Sequence, residues 1–326
     1  MIFFRQLGVL LAACCLLGAC DAEKKNALNA AALPEFVVHK GSKYFIKQGD
    51  AELEISANNA GRIASLKIAG QEILLTADQA SNTVWGNVLW SSPQSEWSWP
   101  PVATLDNNPY DVTVDGDRVV FTSKVDKQTG YQFIKSYGIN SDKKCLSIHY
   151  TIINNSSAEK NLAAWEVTRL RPTGTVFFPQ GNTDISNGIF YPFPTEHIND
   201  ITWATYDAQK IYNNHHKLMT DGKEGWIAYT VNQKLLVKEF ADVPVELMVA
   251  GEGEIQTFAN SEKTFICSLN AFKVPVFCKI QPKIKITISK PTIYPKPLKI
   301  PLKHARQIPG LFFFSMATKF LFISSS

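Results

Sequence analysis

The sequence has no run of eighteen consecutive apolar residues, which excludes a protein that crosses a membrane several times. Its 18 Gly and 17 Pro follow no period, which excludes a collagen-like or low-complexity chain. Disorder is excluded for the bulk of the chain, because 45% of the 326 residues are hydrophobic and only 19% are charged. The chain is therefore long and apolar enough to form one large domain or two small ones.

Acidic residues are absent from the end of the chain. The last 64 residues (263–326) hold 11 of the 33 Lys and Arg residues and no Asp or Glu, so the preceding residues carry 22 basic against 29 acidic side chains. The net charge of +4 is thus a property of the C-terminal segment. Because the main body is acidic, we do not expect nucleic acid as a partner.

Cysteine is scarce in the main body, where Cys145 follows a turn and begins an alternating segment. A disulfide framework is therefore not expected, and the pattern favours a buried structural thiol over a nucleophile. His215 and His216 are adjacent, and neighbouring side chains on an extended chain diverge, so they do not predict a metal site by themselves. We predict no metal ion and no cofactor.

The N-terminus has the pattern of an export signal. In residues 1–19, Arg5 precedes a short apolar run that ends in small residues. Leu17-Gly18-Ala19-Cys20 resembles a bacterial lipobox, which implies cleavage before Cys20 and lipidation of that residue. We expect residues 20–33 to form a flexible tether to a membrane of the bacterial cell envelope, facing the periplasm or the exterior. The alternative is an ordinary cleaved signal with an incidental cysteine.

Alternation of apolar and polar residues begins at residue 34 and continues along most of the chain. Val114-Asp115-Gly116-Asp117-Arg118 is a strong hairpin signal, because Asp-Gly accepts the positive φ of a two-residue turn. Amphipathic helical patterns of convincing length are lacking. We predict an all-β fold, a large antiparallel β-sandwich over residues 34–266. Predicted strands are 51–57, 62–68, 72–75, 110–114, 118–123, 131–139, 145–153, 163–171, 175–178, 225–231, 235–240, 245–250 and 254–260.

Two segments resemble a known superfamily. Gly61-Arg62-Ile63-Ala64-Ser65-Leu66, followed by Gly70-Gln71-Glu72-Ile73-Leu74, is similar to the opening hairpin of galactose-mutarotase-like proteins. Residues 86–101 resemble a signature of a bacterial branch of that superfamily whose function is unknown. The resemblance covers about residues 50–262. It implies a β-supersandwich that contacts carbohydrate on one concave sheet, as in the aldose epimerases.

Residues 90–101 combine three Trp with three Pro, which favour a stiff loop or sheet edge over an interior strand. Indole faces suit the apolar faces of a pyranose ring, and Gln94 and Glu96 can hydrogen-bond to hydroxyls. Carbohydrate is therefore the expected ligand. The alternative is that the indoles cap the core and Glu96 is solvated. The predicted ligand-binding residues are Trp90, Gln94, Glu96, Trp97, Trp99 and Arg169.

Catalysis is the second hypothesis, with Glu96 and Glu166 as candidate acid–base groups. Glu166 and Arg169 are three apart on a predicted strand, so they face opposite sides, and a strand-face salt bridge is the alternative role for Glu166. In aldose epimerases a late glutamate and histidines move the protons. Here the strand 163–169 has no His and that glutamate is missing, so an epimerase is doubtful. A structural envelope lipoprotein is the third hypothesis.

The sequence changes after Ile266, where a segment rich in Lys, Ile and Pro replaces the alternation of apolar and polar residues. We interpret residues 267–326 as the product of a reading-frame shift near residues 265–267, because residues 283–301 lack an amphipathic helical period. The alternative is a true basic extension that contacts anionic lipid. A shift would remove the last strands of the sandwich and expose a sheet edge.

Overall fold

The computed structural model describes residues 32–276, except 81–83, 143, 185–189, 213–214, 243, 249–250 and 262–264, together with 284–287 and 322–324. The predicted signal peptide, Cys20 and most of the predicted tail lie outside the described residues. Within the described ranges, no helix has both the length and the apolar character needed to cross a membrane.

Strands dominate the described residues, which include one short helix, α1 (Ala103–Asp106). The predicted all-β class is confirmed. The strands β1 to β22 are, in order, Val37–Lys40, Lys43–Gln48, Ala51–Ser56, Arg62–Ile68, Gln71–Glu72, Asn87–Ser92, Asp111–Asp115, Arg118–Thr122, Tyr131–Asn140, Cys145–Asn154, Lys160–Leu170, Thr175–Asp184, Tyr191–Pro192, Thr195–Ile198, Ile201–Thr205, His216–Gly222, Trp226–Val231, Lys234–Glu239, Ile255–Ala259, Phe265–Val276, Ile284–Thr287 and Phe322–Ser324.

The strands pair in three antiparallel series. The first runs β3-β4-β6-β11-β20-β19-β16 and is called the central sheet below. The second is the five-stranded sheet β7-β8-β9-β10-β21, which begins with the predicted hairpin at Gly116. The third runs β14-β15-β12-β17-β18-β22, and β12 also pairs with β16, so it joins the third series to the central sheet.

Strand β11 lies in the middle of the central sheet and sends alternate side chains to its two sides. Ala164 and Leu170 belong to the main core, whereas Trp165 and Val167 belong to a separate cluster. The strand register defines which residues lie on the same side as Trp165, and we call this side the Trp165 face. These residues include Val88, Trp90, Val167, Arg169, Lys217, Met219, Gln256, Phe258 and Ile266.

The main core fills the other side of the central sheet. It contains buried side chains from each series, such as Ile63, Phe133 and Phe178. Full burial of a side chain of this size stabilises the fold by roughly 1.5–3 kcal/mol. Cys145 is a buried free thiol, as its position on a strand predicted.

Two glycines of the superfamily-like segments permit close packing. Gly61 has φ of +57°, and a Cβ there would lie 2.8 Å from the Cβ of Phe121. Gly86 has φ of +65°, and a Cβ there would lie 2.4 Å from the carbonyl oxygen of Ile63. Both positions require a residue without a side chain, because they combine a left-handed backbone with contact to a neighbouring strand.

Several expectations differ from the structure. The strand expected at 72–75 is only the two-residue β5, Gln71–Glu72. Residues 90–92 belong to the buried interior strand β6, because the prolines that argued against a strand lie beyond it. Val245–Leu247 is a 3-10 turn and not a strand, since Pro244 precedes it and its residues are exposed. Strand β20 runs from Phe265 to Val276, so pairing with β11 continues ten residues past the boundary expected at residue 266.

Candidate functional site

The predicted tryptophans form a cluster around Trp90. The rings of Trp97, Trp99 and Trp165 meet it edge to face at centroid distances of 5.5, 5.8 and 5.2 Å. Trp90 and Trp97 are only 7% and 6% exposed, whereas Trp99 is 57% exposed. The first two therefore pack the cluster, and Trp99 is the predicted tryptophan that offers an open ring face.

Beneath the cluster, one carboxylate serves several buried cations. Asp106 accepts hydrogen bonds from Trp90 Nε1 at 2.9 Å and Arg62 Nη2 at 3.1 Å. Arg169 lies over the Trp90 ring, with Cζ 4.7 Å from the centroid. Burial lowers the pKa of Arg169 to about 9 and that of Lys135 to about 7, while Asp106 opposes both shifts. The Asp106 carboxylate, which already pairs with Arg62, thus also stabilises the charged forms of Arg169 and Lys135.

Glu96 and Gln94 lie on a one-turn helix directly after β6. Glu96 Oε2 accepts hydrogen bonds from Lys160 Nζ at 2.6 Å and from the Tyr131 hydroxyl at 3.1 Å. Burial, with a smaller contribution from Glu96, raises the pKa of Tyr131. Glu96 therefore connects to the first residues of β9 and β11, and its side chain is 28% exposed, so it is only partly solvated.

Glu166 points into the core and not toward the predicted ligand-binding residues. Its two oxygens accept hydrogen bonds from Asn87 Nδ2 at 2.5 Å and Lys238 Nζ at 2.6 Å. Thr168 Oγ1 receives hydrogen bonds from the same two groups. The Tyr150 hydroxyl donates to Asn87 Oδ1 at 3.2 Å. Glu166 thus forms the salt bridge considered as its alternative role, and this pair joins β11 to β18 through the core.

Lys217, on β16, is a titratable residue of the Trp165 face that the sequence reasoning missed. Its Nζ lies 5.5 Å from the Trp165 ring centroid and 5.0 Å from that of Phe190. The contacts that the described residues make with Nζ are therefore ring faces and not hydrogen-bond acceptors. Burial lowers the pKa of Lys217 to about 8, and the Glu252 carboxylate partly opposes that shift.

Glu252 is the acidic neighbour of this lysine. One of its carboxylate oxygens accepts a hydrogen bond from the backbone N–H of Gln94 at 3.1 Å. The other accepts a hydrogen bond from the Ser92 hydroxyl. These bonds fix Glu252 at the end of β6, so predicted binding residue Gln94 lies beside the carboxylate that acts on Lys217.

Rings complete the surface around Lys217. Phe190 lies 6.5 Å from Phe258 and 6.3 Å from His215 between centroids. His215 is exposed and lies 5.9 Å from Phe258. Together with Lys217 and Glu252, these rings give the face both apolar surfaces and groups that form hydrogen bonds.

Metal ligands are not assembled in the described part of the chain, which contains no group of three His, Cys, Asp or Glu side chains able to hold an ion. His216 Nδ1 is within 2.9 Å of the Pro192 carbonyl oxygen. The structure therefore places the two adjacent histidines in different surroundings, one exposed and one buried.

Comparison with known proteins bears on the fold. No protein-family model and no curated protein matches the sequence. A candidate aldose 1-epimerase from Escherichia coli K12 superposes with a TM-score of 0.51 at 10% identity, over 75% of this chain and 96% of that one. A galactose mutarotase-like protein from Lactobacillus casei ATCC 334 superposes with a TM-score of 0.49 at 14% identity, over 75% of this chain and 94% of that one. This chain spans 50% of a TPR-domain containing protein from Parabacteroides distasonis ATCC 8503, with 79% of its own length covered, a TM-score of 0.49 and 13% identity.

The chain therefore has the galactose-mutarotase-like fold, and the predicted β-supersandwich is confirmed.

Proposed function

We propose that this domain binds carbohydrate on the Trp165 face. The observation that carries the proposal is the group around Lys217, whose ammonium lies 5.5 Å from the Trp165 ring centroid and 5.0 Å from that of Phe190, within the electrostatic influence of the Glu252 carboxylate. Sugars expose apolar C–H faces and many hydroxyls, so they suit a surface that combines rings with donors and acceptors.

Side chains that such a ligand can reach lie around Lys217. Trp99 is 57% exposed, and Gln94, Glu252 and Phe258 are half-buried. Trp99 contacts Trp90, which in turn contacts Trp165, so a row of rings connects the exposed indole to Lys217. Trp90, Trp97, Trp165 and Arg169 would act by supporting this surface, because each is less than 10% exposed.

Binding to a glycan array, followed by titration calorimetry with each hit, tests the proposal. We expect Trp99→Ala to weaken the affinity at least about tenfold, since it removes an open ring face. Tyr212→Ala is the matched control, because Tyr212 is 67% exposed but contacts His216, whose register places it on the other side of β16. A protein that binds no saccharide, or in which both variants behave alike, would contradict the proposal.

Turnover is the second candidate function, because Lys217 has a pKa lowered to about 8 and has a carboxylate nearby. Mutarotation needs one group to take a proton from the anomeric hydroxyl and another to protonate the ring oxygen. Polarimetry on a panel of aldoses tests it, and we expect loss of any rate enhancement in Lys217→Gln and Glu252→Gln. Glu96→Gln tests the earlier candidate in the same assay.

We also propose that Cys20 carries a lipid anchor that holds the domain in the bacterial cell envelope. The signal-like residues 1–19 and the lipobox-like sequence before Cys20 support this. Labelling of cells with a clickable fatty acid should mark the protein and should not mark Cys20→Ala. An envelope protein that is labelled but binds no glycan would instead have the structural role.

The reading-frame shift near residues 265–267 remains a proposal for the origin of the tail. Resequencing the coding DNA across codons 255–280 and translating all three frames tests it. Another frame that continues in alternating strands with glutamates would support the shift. A confirmed frame with no such alternative would favour the basic extension that contacts anionic lipid.

A further inference from the structure

We propose that the saccharide bound by the Trp165 face carries an anionic group, and that Lys217 pairs with this group. This inference rests on the proposed carbohydrate binding and names the class of sugar. It is carried by the balance of charge on that face and by the surroundings of the lysine.

Charges on the Trp165 face are incompletely matched. Arg62 has its own carboxylate partner, Asp106, at 3.1 Å. Arg169 has a Trp90 ring against its guanidinium, and its Nε finds no hydrogen-bond acceptor among the described residues. Lys217 contacts ring faces. Arg169 Nη1 donates to the Val167 carbonyl oxygen at 3.4 Å, so Lys217 is the cation of this face whose described contacts are ring faces.

Glu252, the carboxylate whose charge acts on Lys217, already accepts hydrogen bonds. Both carboxylate oxygens of Glu252 accept hydrogen bonds, from Ser92 Oγ and from the backbone N–H of Gln94. Its charge lowers the positive potential at Lys217 but does not replace a hydrogen-bond acceptor at Nζ. A ligand oxygen that carries charge would supply that acceptor, because charge-assisted hydrogen bonds are the strongest that an ammonium forms.

The positive charge at Lys217 contrasts with the acidic composition of the main body. The residues before Lys263 carry 22 basic and 29 acidic side chains, so a positive patch on this body is not explained by its average composition. A partly buried ammonium is unfavourable unless something compensates its charge, and burial accordingly lowers the pKa of Lys217. A bound anion would restore that pKa toward its ordinary value and would gain affinity in return.

The carbohydrate part of the ligand would lie on the remaining groups. Trp165 Nε1 is buried and no described residue accepts its hydrogen. Glu252 accepts hydrogen bonds, and the rings of Phe190 and Phe258 offer apolar faces. An acidic saccharide satisfies both requirements, since it brings one charged group and several hydroxyls. The charged group is a carboxylate, phosphate or sulfate.

Matched pairs of acidic and neutral sugars test the inference by calorimetry. The probes are D-galacturonate against D-galactose, D-glucuronate against D-glucose, glucose 6-phosphate, and N-acetylglucosamine 6-sulfate. We expect at least one acidic member to bind about tenfold tighter than its neutral counterpart near neutral pH. The preference should weaken as the salt concentration rises. Which acidic probes bind then distinguishes carboxylate from phosphate and sulfate.

Variants of the lysine locate the effect. In Lys217→Gln the ratio of the affinities for the acidic and the neutral sugar should fall to about one. In the parent protein the preference for the acidic sugar should decline as pH rises through about 8, because Lys217 of the free protein then loses its proton. Lys217→Arg should remove this pH dependence, because arginine stays protonated. Lys43→Gln is the control, since Lys43 pairs with Glu54 on β3.

Three results would overturn the inference, and they are distinguishable. Equal affinity for acidic and neutral sugars would exclude an anionic ligand and leave carbohydrate binding intact. An acidic preference that survives Lys217→Gln would exclude Lys217 as the pairing group. Binding of acetate or inorganic phosphate as tight as that of the acidic sugars would exclude a saccharide requirement. If no sugar of either class binds, the proposed function itself fails.

Discussion

The charged side chains on the two sides of strand β11 differ in how completely they are paired. On the core side, Glu166 has hydrogen bonds to both oxygens, and its partner Lys238 also reaches Thr168. On the Trp165 face, Lys217 and Arg169 lie against rings. Complete pairing is what a buried ion pair needs to be tolerated, whereas incomplete pairing leaves capacity for a ligand. We therefore assign a structural role to Glu166 and Lys238, and we propose a binding role for Lys217, with the buried Arg169 as support.

The largest effect is expected from breaking the core pair. Lys238→Met would leave the Glu166 carboxylate buried without its cation, and such a loss costs about 3–5 kcal/mol. Urea denaturation followed by tryptophan fluorescence measures the free energy of unfolding.

The double variant Glu166→Leu/Lys238→Met sharpens this test. Replacing both charges by apolar groups is often neutral, so we expect it to recover most of the lost stability. A single variant as stable as the parent would show that the pair is not structurally important.

The loop after β6 carries one buried tryptophan, Trp97, and one exposed tryptophan, Trp99. Trp97→Ala should cost about 3–5 kcal/mol, because the indole is 6% exposed and donates to the Ser91 carbonyl at 2.9 Å. Trp99→Ala should change stability by less than about 0.5 kcal/mol and act on sugar affinity. Thermal melts and calorimetry on both variants separate the roles, and equal destabilisation would contradict them.

Lys135 makes stability depend on pH. Burial lowers its pKa from 10.5 to about 7, so between these values the unfolded chain holds a proton that the folded protein has lost. The contribution of this residue therefore raises the free energy of unfolding as pH increases from about 7 to 10.5. Lys135→Met should remove this rise and stabilise the protein at pH 7. Parallel pH profiles for the variant and its parent would refute the assignment.

The smallest effect is expected at an exposed pair of similar length. Lys43 and Glu54 are 2.7 Å apart, close to the 2.6 Å of Lys238 and Glu166, but the Lys43 side chain is 55% exposed. Lys43→Ala should cost less than about 1 kcal/mol, because water screens the pair. A loss as large as that in Lys238→Met would mean that burial does not separate the two pairs.

Alternation predicted much of the sandwich from the sequence. Strands β3, β4, β7 to β11 and β17 to β19 lie close to the expected ranges, because their sequences alternate between apolar and polar residues. Strand β6 escaped prediction because its six residues are all buried and do not alternate. The segment 245–250 alternates in sequence, but Val245–Leu247 turns outward after Pro244.

The candidate site could be predicted only in part. The predicted residues Trp97 and Trp99 do contact Trp90, because they lie in the loop that follows its strand. Lys217 could not be predicted because its neighbours come from distant parts of the chain. Strand β16 pairs with β19, β19 with β20 and β20 with β11, and this order brings Lys217 to Trp165. Glu252 likewise acquires its role through contacts with Ser92 and Gln94 that sequence spacing does not reveal.

Indole resonances provide the most direct test of the central claim that the Trp165 face binds carbohydrate. The chain has 7 Trp residues, and each gives one Nε1–H signal that single substitutions assign. On titration with the best array hit, the signals of Trp165 and Trp99 should shift. Those of Trp203 and Trp226, which pack around Phe177 in a separate core, should stay in place. Shifts confined to Trp203 and Trp226, or no shift at any concentration, would contradict the account.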